Sequence, residues 1–150
     1  MTLCDSFLEI LQRELTKLET EINSFRDEAS VWKVQGDLKN SAGNLCLHLC
    51  GNLQHFVGAV LGNSGYKRNR DAEFSSKNIS KQKLIEEIMN SKEAVNNTFA
   101  ELTDNDLAKI YKQEILGKEV STAYFMLHLI SHFDYHLGQI NYLRRLLEPA

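Results

Sequence analysis

Leu3, Phe7, Ile10, Leu11, Leu15, Leu18, Ile22 and Phe25 recur at spacings of three and four, with charged and polar residues between them. That period predicts an amphipathic helix over residues 3–25, opened by Thr2 or Asp5 as a cap. The stretch from Trp32 to Gly43 holds Gly36, Asp37, Asn40 and Ser41 and reads as a connection. A second helix follows, from Ser41 or Asn44 to Leu61, and stops at the cluster Gly62-Asn63-Ser64-Gly65. Residues 65–79 are the longest polar, irregular stretch, which implies a crossover along a bundle rather than a tight turn. Ser80 caps a third helix with Leu84, Ile85, Ile88, Met89, Val95, Phe99 and Leu102 in its apolar stripe. Thr103-Asp104-Asn105-Asp106 opens a short turn of helix or loop through Tyr111, with Asp106 either capping or solvated. Gly117 breaks the pattern, and a last helix runs from Ser121 or Thr122 to about Leu147. No strand-like alternation and no internal repeat occurs. The expectation is an all-α fold, one domain over residues 1–150, built as a four-helix bundle with a long crossover connection.

Composition narrows the partners more than the fold. The 150 residues carry a net charge of −3, so no overall field recruits nucleic acid or an acidic membrane. Lys67, Arg68 and Arg70 form a small basic cluster in the predicted loop, without the aromatic pattern of a nucleic-acid surface, and are a poor candidate for a phosphate or nucleic-acid contact. No apolar run reaches the ~18 residues of a membrane span. Cys4, Cys46 and Cys50 form no C-x-x-C, and Met1 to Ile10 lacks the pattern of a secretory leader; together these lead one to expect a reducing cytoplasm.

The chemistry concentrates in the histidines. His128, His132 and His136 recur every four residues on the last predicted helix, which sets them in one row. Phe125, Gln139 and Leu143 share that face, Tyr135 lies on its flank, and Asp134 falls on the far side, where it is expected to be solvated. His48 and His55 lie on the second helix, close in projection but roughly 10 Å apart along the axis, too far to serve one ion together. Asn44 and Asn52 share their stripe, while Cys46 and Cys50 point about 160° away from His48 and read as small apolar side chains. Each of these imidazoles could be a buried ring with satisfied nitrogens. Burying several without a charge or metal to organise them is costly, however, unless each finds a partner. His132 and His136 therefore stand out as a pair, and His55 and His128 as rings beside a site or in the core.

Other metal chemistries fail against the letters. No histidine has Glu three residues before it, as a di-iron carboxylate bundle requires. There is no H-E-x-x-H and no C-x-x-C-H. A mononuclear site of neutral imidazoles with open positions remains.

At Leu45-Cys46-Leu47-His48-Leu49-Cys50-Gly51-Asn52-Leu53 and His132-Phe133-Asp134-Tyr135-His136-Leu137-Gly138-Gln139-Ile140 the chain resembles the DinB/YfiT-like superfamily of metal-dependent proteins, in an uncharacterised bacterial subgroup. The second motif, H-x-x-x-H followed by x-G-Q, is the more specific, and the likeness runs over nearly the whole chain. The resemblance implies a four-helix bundle with one long crossover, a homodimer, and one divalent ion, nickel or zinc, held by His48, His132 and His136. It also implies a metal-dependent enzyme, a thiol-S-transferase or a related transferase or hydrolase, acting on a small-molecule thiol or electrophile. Leu137 stands where many relatives have Arg, which removes a cation that could bind an anionic cosubstrate.

On this reading His128, Asn52 or Tyr135 would position substrate or move a proton, and Gln139, one turn beyond His136, would fix an imidazole by hydrogen bonding. Trp32 and Phe125 would wall the pocket or pack in the core. The competing expectation is a non-enzymatic bundle that binds a metal or small molecule in a stress response.

Overall fold

The structure is a computed structural model and describes residues 1–150. Helix α1 spans Leu3–Ser24, and both predicted caps contribute to its start: Thr2 accepts from the Asp5 amide while the Asp5 carboxylate accepts from the Thr2 amide. A 3₁₀ turn at Glu28–Trp32 follows. Helix α2 (Ala42–Leu53) starts on Ser41 and continues into a π-helical stretch, Gln54–Leu61, that stops at Gly62. The crossover holds α3 (Arg70–Ser75), a short helix in a segment that its polarity marks as irregular; Asn69 caps it, and no apolar period announces it. Helix α4 (Lys81–Glu101) begins on Ser80, α5 (Asp104–Ala108) on Thr103, and α6 (Thr122–Leu147) on Ser121. Asp106 completes a capping box with Thr103. One isolated antiparallel bridge, Ile110 to Ser121, is the sole β feature.

The four long helices pack in a ring, α1 and α2 each lying between α4 and α6. Their directions follow from side-chain contacts. The Ser91 hydroxyl reaches the Cys50 carbonyl (3.4 Å) and the Thr98 hydroxyl the Val57 carbonyl (3.2 Å), so residue numbers rise together and α4 runs parallel to α2. Two parallel helices consecutive among the long ones require the connecting chain to return along the bundle. That is the expected crossover. By the same test α6 runs parallel to α1, through Glu14 to Asp134 and Glu21 to Asn141, and α1 opposes α4, through Lys92 to Glu19 and Lys81 to the Phe25 carbonyl.

One continuous apolar cluster fills the ring, with Leu11, Leu15, Leu49, Ile88, Phe125 and Phe133 fully buried within it. Trp32 belongs to this cluster rather than to a pocket wall: its ring lies over Gly43, where a β-carbon would sit 2.8 Å from three ring atoms, and its indole N–H donates to the Ile79 carbonyl (3.0 Å). Phe125 likewise is core, against Phe56 and Tyr111. No helix is long and apolar enough to cross a membrane.

Candidate metal centre

Helices α2 and α6 run antiparallel and meet through His48 on one and His132 and His136 on the other. One nitrogen from each ring lies within 4.8 Å of the others, and the trio contains imidazoles alone. His48 is buried, 6% exposed, while His132 and His136 are half-buried. The nearest approach is between His48 Nε2 and His132 Nε2, at 3.0 Å. The His136 ring stands edge-on to both, with centroids 5.3 Å from His48 and 4.6 Å from His132.

Two of the three rings are oriented through their other nitrogen. His136 Nδ1 lies 2.7 Å from Gln139 Oε1, an acceptor, so Nδ1 carries the proton and Nε2 a lone pair. His48 Nδ1 lies 3.1 Å from Glu73 Oε1, which favours the same tautomer. His132 has no such partner: its Nδ1 is buried and makes no hydrogen bond. If its Nε2 carries the proton, a lone pair is stranded at Nδ1; if Nδ1 does, a donor is stranded and two lone pairs face each other across 3.0 Å. A cation between the rings removes the second conflict. Two nitrogens bound to one tetrahedral zinc at about 2.0–2.1 Å lie about 3.3 Å apart, close to the spacing present. The residues fit a divalent ion.

Protonation favours the same use. Burial, with His136, His48, His128 and Arg68 nearby, pushes the His132 pKa down to about 4. Burial also lowers that of His136, helped by His48 and opposed by the Gln139 hydrogen bond. Both rings are neutral at physiological pH, as a metal ligand must be.

Glu73 and Arg68 were not legible as site residues. Both come from the crossover, where Arg68 is one of a small basic cluster in the sequence. Arg68 grips Glu73 with two hydrogen bonds, Nε to Oε2 and Nη2 to Oε1, each 2.8 Å. Burial pushes the Glu73 carboxyl up, but hydrogen bonds from His48 and Arg68 and the Arg68 charge outweigh it, leaving the carboxyl below its ordinary range. The signal that could have found Glu73 is Gly51, a glycine inside a helix three residues after His48.

The remaining candidates fall around the trio. His128 is exposed, stacked between Phe125 and His132 at centroid distances of 5.8 and 6.5 Å. His55 packs on Phe56 and stays outside the trio, its pKa lowered by burial and by Arg68. Asn52 is buried one turn beyond His48. Tyr135 is 66% exposed with its ring 5.3 Å from His136. Asp134 is exposed but not simply solvated: burial and the neighbouring Glu14 carboxylate raise its pKa. Leu137 packs in the core and borders Glu14 and Lys17 of α1, and it does not line the cavity beside His136.

A cavity of about 390 Å³ opens beside His136 and Gln139, walled mainly by Leu38, Leu45, Tyr135, Tyr142, Leu143 and Leu146, with Lys39 and Asn40 also lining it. A larger groove of about 700 Å³, around Arg26, Arg144 and Glu148, contains none of the histidines and no comparable chemistry.

A family model described as protein of unknown function (DUF1572) matches residues 3–150. Among solved structures, a conserved protein from Enterococcus faecalis superposes with a TM-score of 0.79 at 16% identity, over 98% of this chain and 98% of that one. A DinB-like protein from Bacillus cereus superposes with a TM-score of 0.75 at 18% identity, over 95% of this chain and 91% of that one. At these identities the likeness is one of fold, and the fold is the DinB-like, all-α one that the two sequence motifs imply. No curated protein sequence matches the chain.

Proposed function

The chain belongs to the DUF1572 family of proteins of unknown function, and on that premise we propose that it is a metal-dependent enzyme acting on a small thiol or electrophile, a thiol-S-transferase or a related transferase or hydrolase. The observation that carries the proposal is the convergence of three imidazole nitrogens within 4.8 Å, from two helices far apart in sequence, with no carboxylate or thiol among them. His48, His132 and His136 would hold one divalent ion, nickel or zinc. A bound ion of this kind lowers the pKa of a coordinated thiol or water to near neutral and so supplies a nucleophile.

The chain's own residues do the rest. Gln139 holds the His136 ring by its Nδ1–H. The cavity beside His136 supplies apolar walls for the body of a small substrate, and Tyr135 and Lys39 bring a hydroxyl and an ammonium to its lining. His128, whose ring is exposed beside His132, would position substrate. Tyr135, Tyr142 and Leu146 on α6 are more than half exposed, which suits the homodimer suggested by the resemblance. Three unpaired cysteines suit a reducing cytoplasm.

The test is turnover. Metal-loaded protein is incubated with low-molecular-weight thiols and a generic alkylating electrophile, and thiol loss is followed. Loss that depends on all three histidines supports the enzyme. Metal binding without any such turnover leaves a non-enzymatic metal- or small-molecule-binding bundle.

A further inference from the structure

We infer that Glu73 and Arg68, which come from the crossover and from neither ligand helix, are positioning residues that decide whether His48 Nε2 presents a lone pair or an N–H to His132 and His136. The inference rests on the reading that this trio holds an ion, and it deepens that reading by making the crossover the segment that sets the ion's affinity.

The hydrogen-bond chemistry is one-directional. A carboxylate only accepts and a guanidinium only donates. His48 Nδ1 lies 3.1 Å from Glu73 Oε1 and 3.3 Å from Arg68 Nη2. With the proton on Nδ1 the ring bonds Glu73 and aims a lone pair at the trio. With the proton on Nε2 the ring accepts from Arg68 and aims an N–H at the trio, which excludes a cation. The two neighbours therefore favour opposite tautomers. Glu73 prevails because its carboxylate is a charged acceptor at the shorter distance, 3.1 Å, whereas Arg68 Nη2 already donates one hydrogen to Oε1 at 2.8 Å, with Nε on Oε2, and reaches Nδ1 only at 3.3 Å. The fork also neutralises a carboxylate that is only 6% exposed, so Glu73 acts as a fixed acceptor rather than an uncompensated buried charge.

The surrounding chain is shaped to hold this arrangement. The Asn44 amide on α2 donates to the Glu73 and Ser76 carbonyls, 2.9 Å each, and pins the backbone of α3 one turn from His48. Gly51 then leaves a niche for the carboxylate. A β-carbon there would lie 2.0 Å from Glu73 Oε2 and 2.7 Å from its Cδ. Glu73 cannot swing aside cheaply, because both its oxygens are already bonded. An alanine at this one helical position therefore displaces the acceptor of His48 without touching any imidazole.

Zinc is titrated into the metal-free full-length protein, wild type against Glu73→Ala, Glu73→Gln and Gly51→Ala, in competition with a chromophoric chelator. Long-range ¹H–¹⁵N spectra of the metal-free forms report the His48 tautomer, which a merely structural ion pair would not move. Glu73→Ala and Gly51→Ala should weaken zinc binding by a factor of about 10 to 100 and shift His48 away from the Nδ1–H form. Glu73→Gln, whose amide oxygen can still accept from Nδ1 but whose amide nitrogen cannot accept from Arg68 Nε, should lose less of that form and less affinity than Glu73→Ala. Zinc affinity within about twofold of wild type in a folded Glu73→Ala protein, or an unchanged tautomer in Gly51→Ala, overturns the inference. Should Glu73→Ala not fold, Gly51→Ala decides alone. Should wild type bind no zinc, the metal reading fails, and the tautomer shift still judges Glu73.

Discussion

His48 Nε2 and His132 Nε2 lie 3.0 Å apart although 84 residues separate them in the chain. Only the antiparallel meeting of α2 and α6 brings them together. Glu73 fixes a lone pair on the first nitrogen, and the second belongs to a ring with a stranded Nδ1. An ion that binds the folded chain and not the unfolded one stabilises the fold by mass action, about 2.7 kcal/mol at a hundred times its Kd. Adding zinc or nickel to chelator-treated protein should therefore raise the melting temperature. The same addition should leave a His132→Ala protein unmoved. An equal rise in both would place the ion elsewhere.

Trp32 offers an optical test of packing because it is the only tryptophan. Its ring occupies the space a side chain at Gly43 would need. Gly43→Ala should destabilise by about 1–3 kcal/mol, the usual cost of overpacking, and shift tryptophan emission to the red as the indole is pushed out. Denaturant unfolding followed by emission reads both effects. Unchanged emission and midpoint would show that the ring has room to move.

The cysteines should be silent in the native state. Cys46 and Cys50 are buried, 0% and 1% exposed, and a hydrogen bond with Cys50 together with burial pushes the Cys46 thiol well up. Burial and the Asp104 carboxylate push Cys4 up to about 11. A disulfide-based thiol reagent at mildly alkaline pH should label none of the three rapidly, and all three after unfolding. Fast labelling of Cys46 or Cys50 without unfolding would contradict their burial.

Most of the fold could be read from period and caps. Thr2, Ser41, Ser80 and Ser121 open the four long helices as their positions predict, since cap chemistry is local. The crossover was legible from the length of its polar stretch. Helix α3 was not, because six residues are too few to show a period and its only buried member, Glu73, is charged. The same limit hid half of the candidate site. His132 and His136 declare themselves by their spacing on one helix, whereas the pairing of His48 with Glu73 and Arg68 depends on how a loop folds back, and no local pattern encodes that.

Asp104 tests how the last connection closes the bundle. Its carboxylate accepts from the Leu3 amide (3.1 Å) and the Cys4 amide (2.9 Å), capping α1 from about a hundred residues away. Those hydrogen bonds hold its pKa below the ordinary carboxylate value. A folded-state pKa below the unfolded one gives stability that is present above the unfolded value and lost as pH falls through the folded one. Asp104→Asn should speed hydrogen exchange at the first turn of α1 several-fold at neutral pH. The stability gap between wild type and variant should close on acidification. A gap that widened in acid would refute the assignment.

Metal content tests the central claim most directly. Protein purified without chelators is assayed by elemental analysis beside His48→Ala and the double replacement His132→Ala/His136→Ala, with circular dichroism to confirm that each stays helical. About one divalent ion per chain in wild type, and loss of it in both variants, is the predicted result. No ion in wild type, or an ion that survives the double replacement, would contradict the account.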